Sequence, residues 1–423
     1  MKTSFQIDLG RLRDPSLVLA LLWILSPLAF AAEWSQFRGP NGDGHSAATD
    51  LPLSWTETEN VTWKVPVRGR GWSSPVVWKD QIWLTTAPED GAQMSALCFD
   101  AKTGKTLHDL PMFERTIPVA GLPRNTYATP TPVIEDGRVY IHFGTHGTAC
   151  LDTKTGKKLW ERLDLKCQHF RRPASSPILH DDILILIFDG FDVQYVIGLD
   201  KNSGKTLWKT DRNITYGTDN GDWKKAFATA AVVELAGKTQ IVCPSAAATI
   251  AYEPATGKEI WRIRHGGMNA AARPISGHGL VFVSAPYGGA NLLAMRPDGT
   301  GDITKSHIVW TYKKSVPKHG SQLLVDDLIY MVSDDGVASC LEAKTGKKVW
   351  IQRLGGKYSA SPIYAGGRIY FFSEKGVCPV ITTGRDYKLL ATPTLKEGFM
   401  ASPAVLDNAF IFRTIHHLYR VEK

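Results

Sequence analysis

The chain has 423 residues, 43% hydrophobic and 21% charged, with 38 Gly, 24 Pro, 13 Trp, 13 Tyr and 16 Phe, which excludes a disordered chain and favours strands and turns. The formal charge of +8 would favour a polyanion only if the charges clustered. The lysines are instead spread through recurring turns, so no nucleic-acid partner is expected.

Residues 1–31 carry Lys2, Arg11 and Arg13, an apolar run from Leu17 to Leu25, then Ser26-Pro27 and Ala29-Phe30-Ala31. That order is expected to be a cleavable secretory signal cut before Ala32, because its apolar run is well short of the ~20 residues that span a bilayer. The mature chain is then expected to be periplasmic or secreted and monomeric, with no transmembrane span and no Cys at the cut for a lipid anchor. Residues 32–60 form an N-terminal extended segment, and residues 61–423 form one repeat domain.

Within that domain one phrase recurs. Cys150-Leu151-Asp152 runs through Thr155-Gly156-Lys157 to Trp160, and the pattern returns at Gly198 to Trp208, Ala251 to Trp261 and Cys340 to Trp350, with weaker copies at Cys98 and Cys378. A second phrase precedes each copy: a small residue and usually Pro, then an apolar strand, a polar turn and another apolar strand. It begins at Ser74-Pro75, Thr131-Pro132, Ser176-Pro177, Ala230-Ala231, Arg273-Pro274, Ser321-Gln322, Ser361-Pro362 and Ser402-Pro403, in steps of 57, 45, 54, 43, 48, 40 and 41 residues. A period in the forties with two hairpins per unit predicts an all-β, eight-bladed β-propeller of four-stranded antiparallel blades. Seven blades are the alternative, because the fifth copy replaces the usual turn with Met295-Arg296-Pro297-Asp298-Gly299-Thr300 before Trp310.

The last unit, from Phe399, holds three strands, and Val61-Thr62-Trp63-Lys64-Val65 is an orphan strand. The N-terminal strand is therefore predicted to join the C-terminal blade, which removes a free sheet edge. The docking indoles Trp160, Trp208, Trp261 and Trp350 are expected to cement neighbouring blades, each facing a small residue such as Cys150, Ala251 or Cys340. His108 and Lys388 take the Trp slot in the first and seventh units, where the cement is expected to be weaker.

These residues resemble the pyrroloquinoline-quinone-like (PQQ-like) repeat superfamily, whose docking phrase is Ala-x-Asp-x-x-x-Gly-Lys-x-x-Trp, over nearly all of residues 60–423. Trp34-Ser35-Gln36-Phe37-Arg38-Gly39-Pro40-Asn41-Gly42-Asp43-Gly44 also resembles the opening of a large set of bacterial secreted members. The resemblance places Cys98, Cys150, Cys340 and Cys378 at one small docking position, so they are read as packing residues; Cys167 and Cys243 are left undetermined. No CxxC pair suggests a metal site.

The resemblance implies two functions. One is a non-catalytic scaffold like the periplasmic propeller that assists outer-membrane protein assembly. The other is a quinoprotein oxidoreductase holding pyrroloquinoline quinone over calcium, beside an adjacent-cysteine disulfide. No two cysteines are adjacent and no calcium set can be matched, so no cofactor is expected and the scaffold is the favoured reading. Independently of the resemblance, the loops leading into the innermost strands converge on one channel face. They carry Arg70, Trp72, Tyr127, Arg171, Arg172, Trp223, His265, Arg273, His319 and Tyr358. This basic, aromatic ring is expected to take an anionic or carbohydrate-like ligand, or a protein segment. The pairs Asp189/Asp192 and Asp334/Asp335 read as turn residues, and no catalytic Ser–His–Asp or phosphate-loop pattern is present.

Overall fold

A computed structural model describes residues 33–115, 124–285, 287–288 and 292–423, so the expected signal at 1–31 lies outside the described residues. The described chain folds into eight sheets, each built on four antiparallel strands; two of the sheets carry a short fifth strand in parallel, His45–Ser46 and Gly301–Asp302. Numbered from the first complete unit, blades 1 to 7 open on inner strands Val76–Trp78, Val133–Glu135, Ile178–His180, Ala231–Leu235, Ile275–Gly277, Leu323–Val325 and Ile363–Ala365. Blade 8 is Ala404–Leu406, Ala409–Arg413 and His417–Val421, completed by Val61–Pro66 pairing antiparallel with His417–Val421. The first and last parts of the domain thus share a sheet, as predicted. The irregular fifth unit is a full blade, so eight blades replace the alternative of seven. Helix is confined, among the described residues, to two short 3-10 turns, Gly144–His146 and Gly221–Lys224.

The repeated phrase builds a turn and a docking surface together. In blade 2, Asp152 Oδ1 accepts from the Thr155 amide at 2.7 Å, and the Gly156 amide donates to Asp152 O at 2.9 Å. Asp100 with Thr103 and Asp200 with Ser203 repeat the first of these bonds, because a short carboxylate two to three residues upstream fits the turn's free N–H groups. Gly104, Gly156, Gly204, Gly257 and Gly346 of these turns have φ between +68° and +71°, a conformation that disfavours other residues. A bare Cα also receives the indole of the preceding blade: a Cβ on Gly204 would meet Trp160, one on Gly257 would meet Trp208, and one on Gly346 would meet Trp310.

These three indoles also donate a hydrogen bond across the joint. Trp160 Nε1 reaches Lys201 O at 2.8 Å, Trp208 reaches Pro254 O at 2.9 Å and Trp310 reaches Ala343 O at 3.0 Å. Trp63, from the N-terminal strand, does the same for blade 8 on blade 1, with Ala101 O at 3.2 Å and its ring against Gly104. Across the sheet the indoles face small residues: Trp160 opposite Cys150, Trp208 opposite Gly198, Trp261 opposite Ala251, Trp310 opposite Ala294, Trp350 opposite Cys340.

Two joints lacking the direct indole-to-carbonyl bond use a glutamine relay. At the irregular turn of blade 5, Trp261 Nε1 donates to Gln240 Oε1 (2.7 Å), whose Nε2 donates to Pro297 O (3.0 Å). In blade 1, where His108 faces Cys98, Trp83 moves to the second strand and stacks on His108; Trp83 Nε1 donates to Gln81 Oε1 and Gln81 Nε2 to Thr153 O. The register of blade 7 corrects the sequence reading. Val380 faces Ala391, so these residues hold the small and indole slots, not Cys378 and Lys388. Trp55, 2% exposed, belongs to the apolar cluster against which Ala391 packs, with its ring 5.7 Å from Phe410 and 5.3 Å from Phe412.

All six cysteines are free and buried, Cys167 and Cys243 included. Replacing Trp208, 7% exposed, by Ala removes an indole and its cross-blade bond, and is expected to cost about 3 to 5 kcal/mol in urea unfolding. A loss below about 1 kcal/mol, the size of a surface change, would contradict the docking role.

Candidate functional site

Residues 33–46 cross the central channel instead of leaving it open. Trp34 bridges to Val77 of blade 1, and Ser35 O accepts from the Ile134 amide of blade 2. On the opposite side Arg273 of blade 5 donates to Phe37 O (2.6 Å) and Gln36 Oε1 (2.9 Å), while Arg38 donates to Gln322 O of blade 6 (2.6 Å). His45–Ser46 then adds a parallel strand to the inner edge of blade 7 at Tyr364–Ala365. The crossing segment thereby satisfies inner-strand groups that would otherwise face the channel unpaired. It depends on close backbone approach at Gly42, where a Cβ would strike the Arg273 guanidinium.

Above this crossing lies a cavity of about 390 Å³, with Phe37 of the crossing segment in its wall and residues of the lead-in loops of all eight blades around it. A collar of hydroxyls sets its lower wall. The amide of Ser74 donates to Thr131 Oγ1, that of Thr131 to Ser176 Oγ and that of Ser176 to Thr229 Oγ1, at 2.9–3.0 Å. The chain of bonds resumes from Arg273 to Ser321, Ser321 to Ser361 and Ser361 to Ser402. This explains the small residue before the inner strands of blades 2, 3, 6, 7 and 8: its hydroxyl accepts the neighbouring blade's amide, whereas the Ser74 hydroxyl of blade 1 accepts none among the described residues. In the fourth unit the hydroxyl is Thr229, one residue ahead of the Ala230-Ala231 pair read from sequence. Arg273 breaks the collar and turns its side chain to the crossing segment.

Of the ten residues expected on this face, Trp72, Arg171 and His319 line the cavity. Trp72 donates from Nε1 to Arg124 O at 2.7 Å. Arg70, half-buried, lies over the Trp72 ring and pairs with Glu89. Tyr127 and Arg172 are buried together, the guanidinium 4.5 Å from the ring centroid, with Arg172 bonded to Asn125 O and Glu89 O. Tyr358 is buried in the core between blades 6 and 7. Trp223 is 41% exposed on its 3-10 turn. His265 bonds Thr249 and Gly266 O outside the cavity lining. Arg273 is 2% exposed and held by the crossing segment.

The ring is less basic than its sequence. Arg171 forms a two-pronged pair with Asp222 (2.8 and 2.5 Å), Arg124 meets Glu374 at 2.6 Å, and His319 Nδ1 lies 2.5 Å from Asp334 Oδ2. Asp334 is held below the ordinary carboxylate range, burial being outweighed by His319 and the Lys318 amide. Asp189, one of the acidic pair read as a turn, is a fully buried partner of Arg212. The lining residues that sequence reasoning missed include Phe37, Arg124, Asn125, Tyr287 and Met400. Arg124 and Asn125 sit in the longest step between units, the one available signal; nothing in the repeat announces Phe37.

Behind the wall lies a buried basic cluster. Lys225 Nζ donates to Asp189 O (2.8 Å) and Ala226 O (3.1 Å) and lies 3.3 Å from His169 Nδ1, with Cys167 Sγ 3.6 Å from the His169 ring nitrogens. Burial lowers the Lys225 pKa and pushes the Cys167 thiol up to about 12, so the thiol is protonated. Burial also pushes His142 down to about 3 and His146 down to about 4, and holds His169 well below its ordinary value. Among the described residues no three His, Cys, Asp or Glu side chains are grouped as a metal site.

Eight such blades around a hydroxyl-collared channel define a β-propeller of PQQ-like repeats. A family model described as outer membrane protein assembly factor BamB matches residues 56–211 and 192–412, and the chain belongs to that family. No protein of curated function matches the sequence significantly. Among solved structures, BamB from Moraxella catarrhalis is similar at 15% identity and TM-score 0.62, covering 86% of this chain and 97% of that one. A quinohemoprotein alcohol dehydrogenase from Comamonas testosteroni is similar at 11% identity and TM-score 0.63, covering 92% and 80%. A europium-containing methanol dehydrogenase has 11% identity and TM-score 0.59, covering 90% and 88%. At these identities the likeness establishes the fold alone.

The histidines give this region a pH signature. Their folded pKa values lie below the unfolded value of about 6.5, so the unfolded chain binds more protons as pH falls and stability drops between about 6.5 and 4. His146→Phe is expected to remove about 3 kcal/mol of that loss, read from urea unfolding at pH 7 and pH 4. An unchanged pH dependence would show that His146 is not the neutral, buried group described.

Proposed function

We propose that this chain is a non-catalytic, extracytoplasmic binding or assembly scaffold whose working face is the mouth of the channel. The observation that carries the reading is the cavity itself, walled by the lead-in loops of all eight blades and closed off by the chain's own crossing segment. Its lining offers aromatic, hydroxyl and amide groups, with its charged side chains tied in ion pairs. Membership of the BamB family supports an assembly role, and no helix among the described residues is long and apolar enough to cross a membrane.

The quinoprotein reading fits the residues poorly. The described chain groups no acidic or histidine set for calcium, and its cysteines are dispersed and free. The cavity's guanidinium groups, which a tricarboxylate quinone would use, are already engaged by Asp222 and Glu374. Titration with pyrroloquinoline quinone and calcium is therefore expected to give no new visible absorbance band and no dye-linked alcohol oxidation. A saturable band with turnover would replace the scaffold reading by the enzymatic one.

The face can be tested separately. A benzophenone amino acid at Trp223, 41% exposed and next in sequence to Asp222, the partner of the cavity's Arg171, is expected to give discrete cross-linked species in the intact cell envelope, whereas the same probe at Leu207, exposed on the outer strand of blade 3, is not. Equal or reversed labelling would move the working surface away from the channel.

A further inference from the structure

We propose that the channel cavity binds an uncharged, polyhydroxylated ring, the neutral pyranose end of a glycan; this rests on the channel mouth being the working face. Three properties of the wall select that chemistry.

The first is the collar. Thr131, Ser176, Thr229, Ser361 and Ser402 line the cavity, and each hydroxyl oxygen already accepts a neighbouring amide. An oxygen that accepts in this way keeps its own proton to donate. No acceptor for those five protons is found among the described residues, so they are left for whatever occupies the channel. Asn269, in the left-handed region at φ 56° and 8% exposed, adds an amide whose oxygen has no partner. Donors and an acceptor unspent on one wall suit a ligand that carries both, as every sugar hydroxyl does. A carboxylate or phosphate offers acceptors alone.

The second property is apolar. Phe37, Trp72, Phe227 and Tyr287 contribute ring surface to the same cavity. Flat aromatic faces pack against the C–H faces of a pyranose, while a compact inorganic anion has no apolar face to place there.

The third is charge. Arg124 and Arg171 are each matched by a carboxylate and His319 faces Asp334, so an anion entering among them would have to compete with Glu374, Asp222 or Asp334; Lys318, over the Tyr287 ring, is the cation beside the lining that these pairs leave out. Separating such half-buried pairs leaves a carboxylate unpaired and is unfavourable. The cavity volume of about 390 Å³ is at the low end for small-ligand sites, room for one or two sugar rings.

The test is calorimetric titration of the signal-free full chain with neutral disaccharides (cellobiose, maltose, mannobiose and chitobiose) and with the uronic-acid counterpart of any that binds. At least one neutral disaccharide is expected to bind at least about tenfold more tightly than its uronate, with an affinity that changes less than about twofold between about 0.05 and 0.5 M salt. Met400→Trp, which fills the cavity, is expected to weaken that binding at least about tenfold, with Met268→Trp from the other side as the second variant should the first not fold. A uronate that binds more tightly than its neutral partner, or no binding by any of the four disaccharides, overturns the proposal. Sugar binding untouched by both filling variants overturns it too, and removes the channel face with it. Should the sugars fail while cross-linking from Trp223 succeeds, the face stands and only the ligand class falls.

Discussion

The molecule depends on one repeated contact: an indole of one blade seated on the bare glycine of the next blade's turn, with its N–H on a backbone carbonyl there. The contact uses three properties together. Glycine supplies the left-handed turn, the missing Cβ supplies the seat, and the large ring excludes water from a joint between sheets that have no hydrogen-bonded ladder in common. Because each joint is local, the ring of blades is held by a series of nearest-neighbour contacts, and every joint must be filled for the circle to close. Where the direct indole-to-carbonyl bond is lacking, chemistry of similar reach takes its place: Gln240 relays for Trp261, Gln81 relays for Trp83, and Trp55 arrives from outside the repeat.

The N-terminal segment is accordingly part of the propeller's construction. Its three tryptophans act at three places: Trp34 at the inner edge of blade 1, Trp55 between blades 7 and 8, and Trp63 at the closing joint on blade 1. Between the first two it crosses the channel, fixed by Arg38 and Arg273 through carbonyl and amide oxygens without a carboxylate contact. Burial lowers both guanidinium pKa values, to about 9 and about 10, yet both stay charged at neutral pH. The two buried cations make the crossing sensitive to side-chain bulk at Gly42, where a Cβ meets Arg273, and at Gly44, where one meets Arg38, and the wall that this segment gives the cavity inherits that constraint.

Much of the architecture was legible because it repeats. The Asp-x-x-Thr-Gly-Lys phrase exposes the turn, the Trp exposes the joint, and the spacing exposes the blade count. What could not be read is what does not repeat. The equivalence of Ala391 to the indole slot follows from strand register, and a two-residue misplacement of Cys378 was enough to hide it. The offset from Ala230 to Thr229 was invisible until the hydroxyl had a function. Arg124 and Glu374 are 250 positions apart, so a sequence ring that looked basic becomes charge-balanced once distant blades contribute their carboxylates. Arg273 read as a ligand contact because its neighbour in space, the segment around Phe37, lies far away in the chain.

The central claim is that ring and glycine act as one unit across the joint. A double-mutant cycle at Trp208 and Gly257 tests it directly, with Trp208→Ala, Gly257→Ala and the pair compared in urea unfolding. The added methyl collides with the indole at 2.2 Å in the single variant, whereas in the double that collision is gone and the nearest remaining neighbour is the Thr210 hydroxyl at 3.0 Å. The two losses should therefore fall short of additivity by about 1 kcal/mol or more. Strictly additive losses would show that the indole and the glycine stabilise the molecule independently, and the account of how the blades are joined would fail.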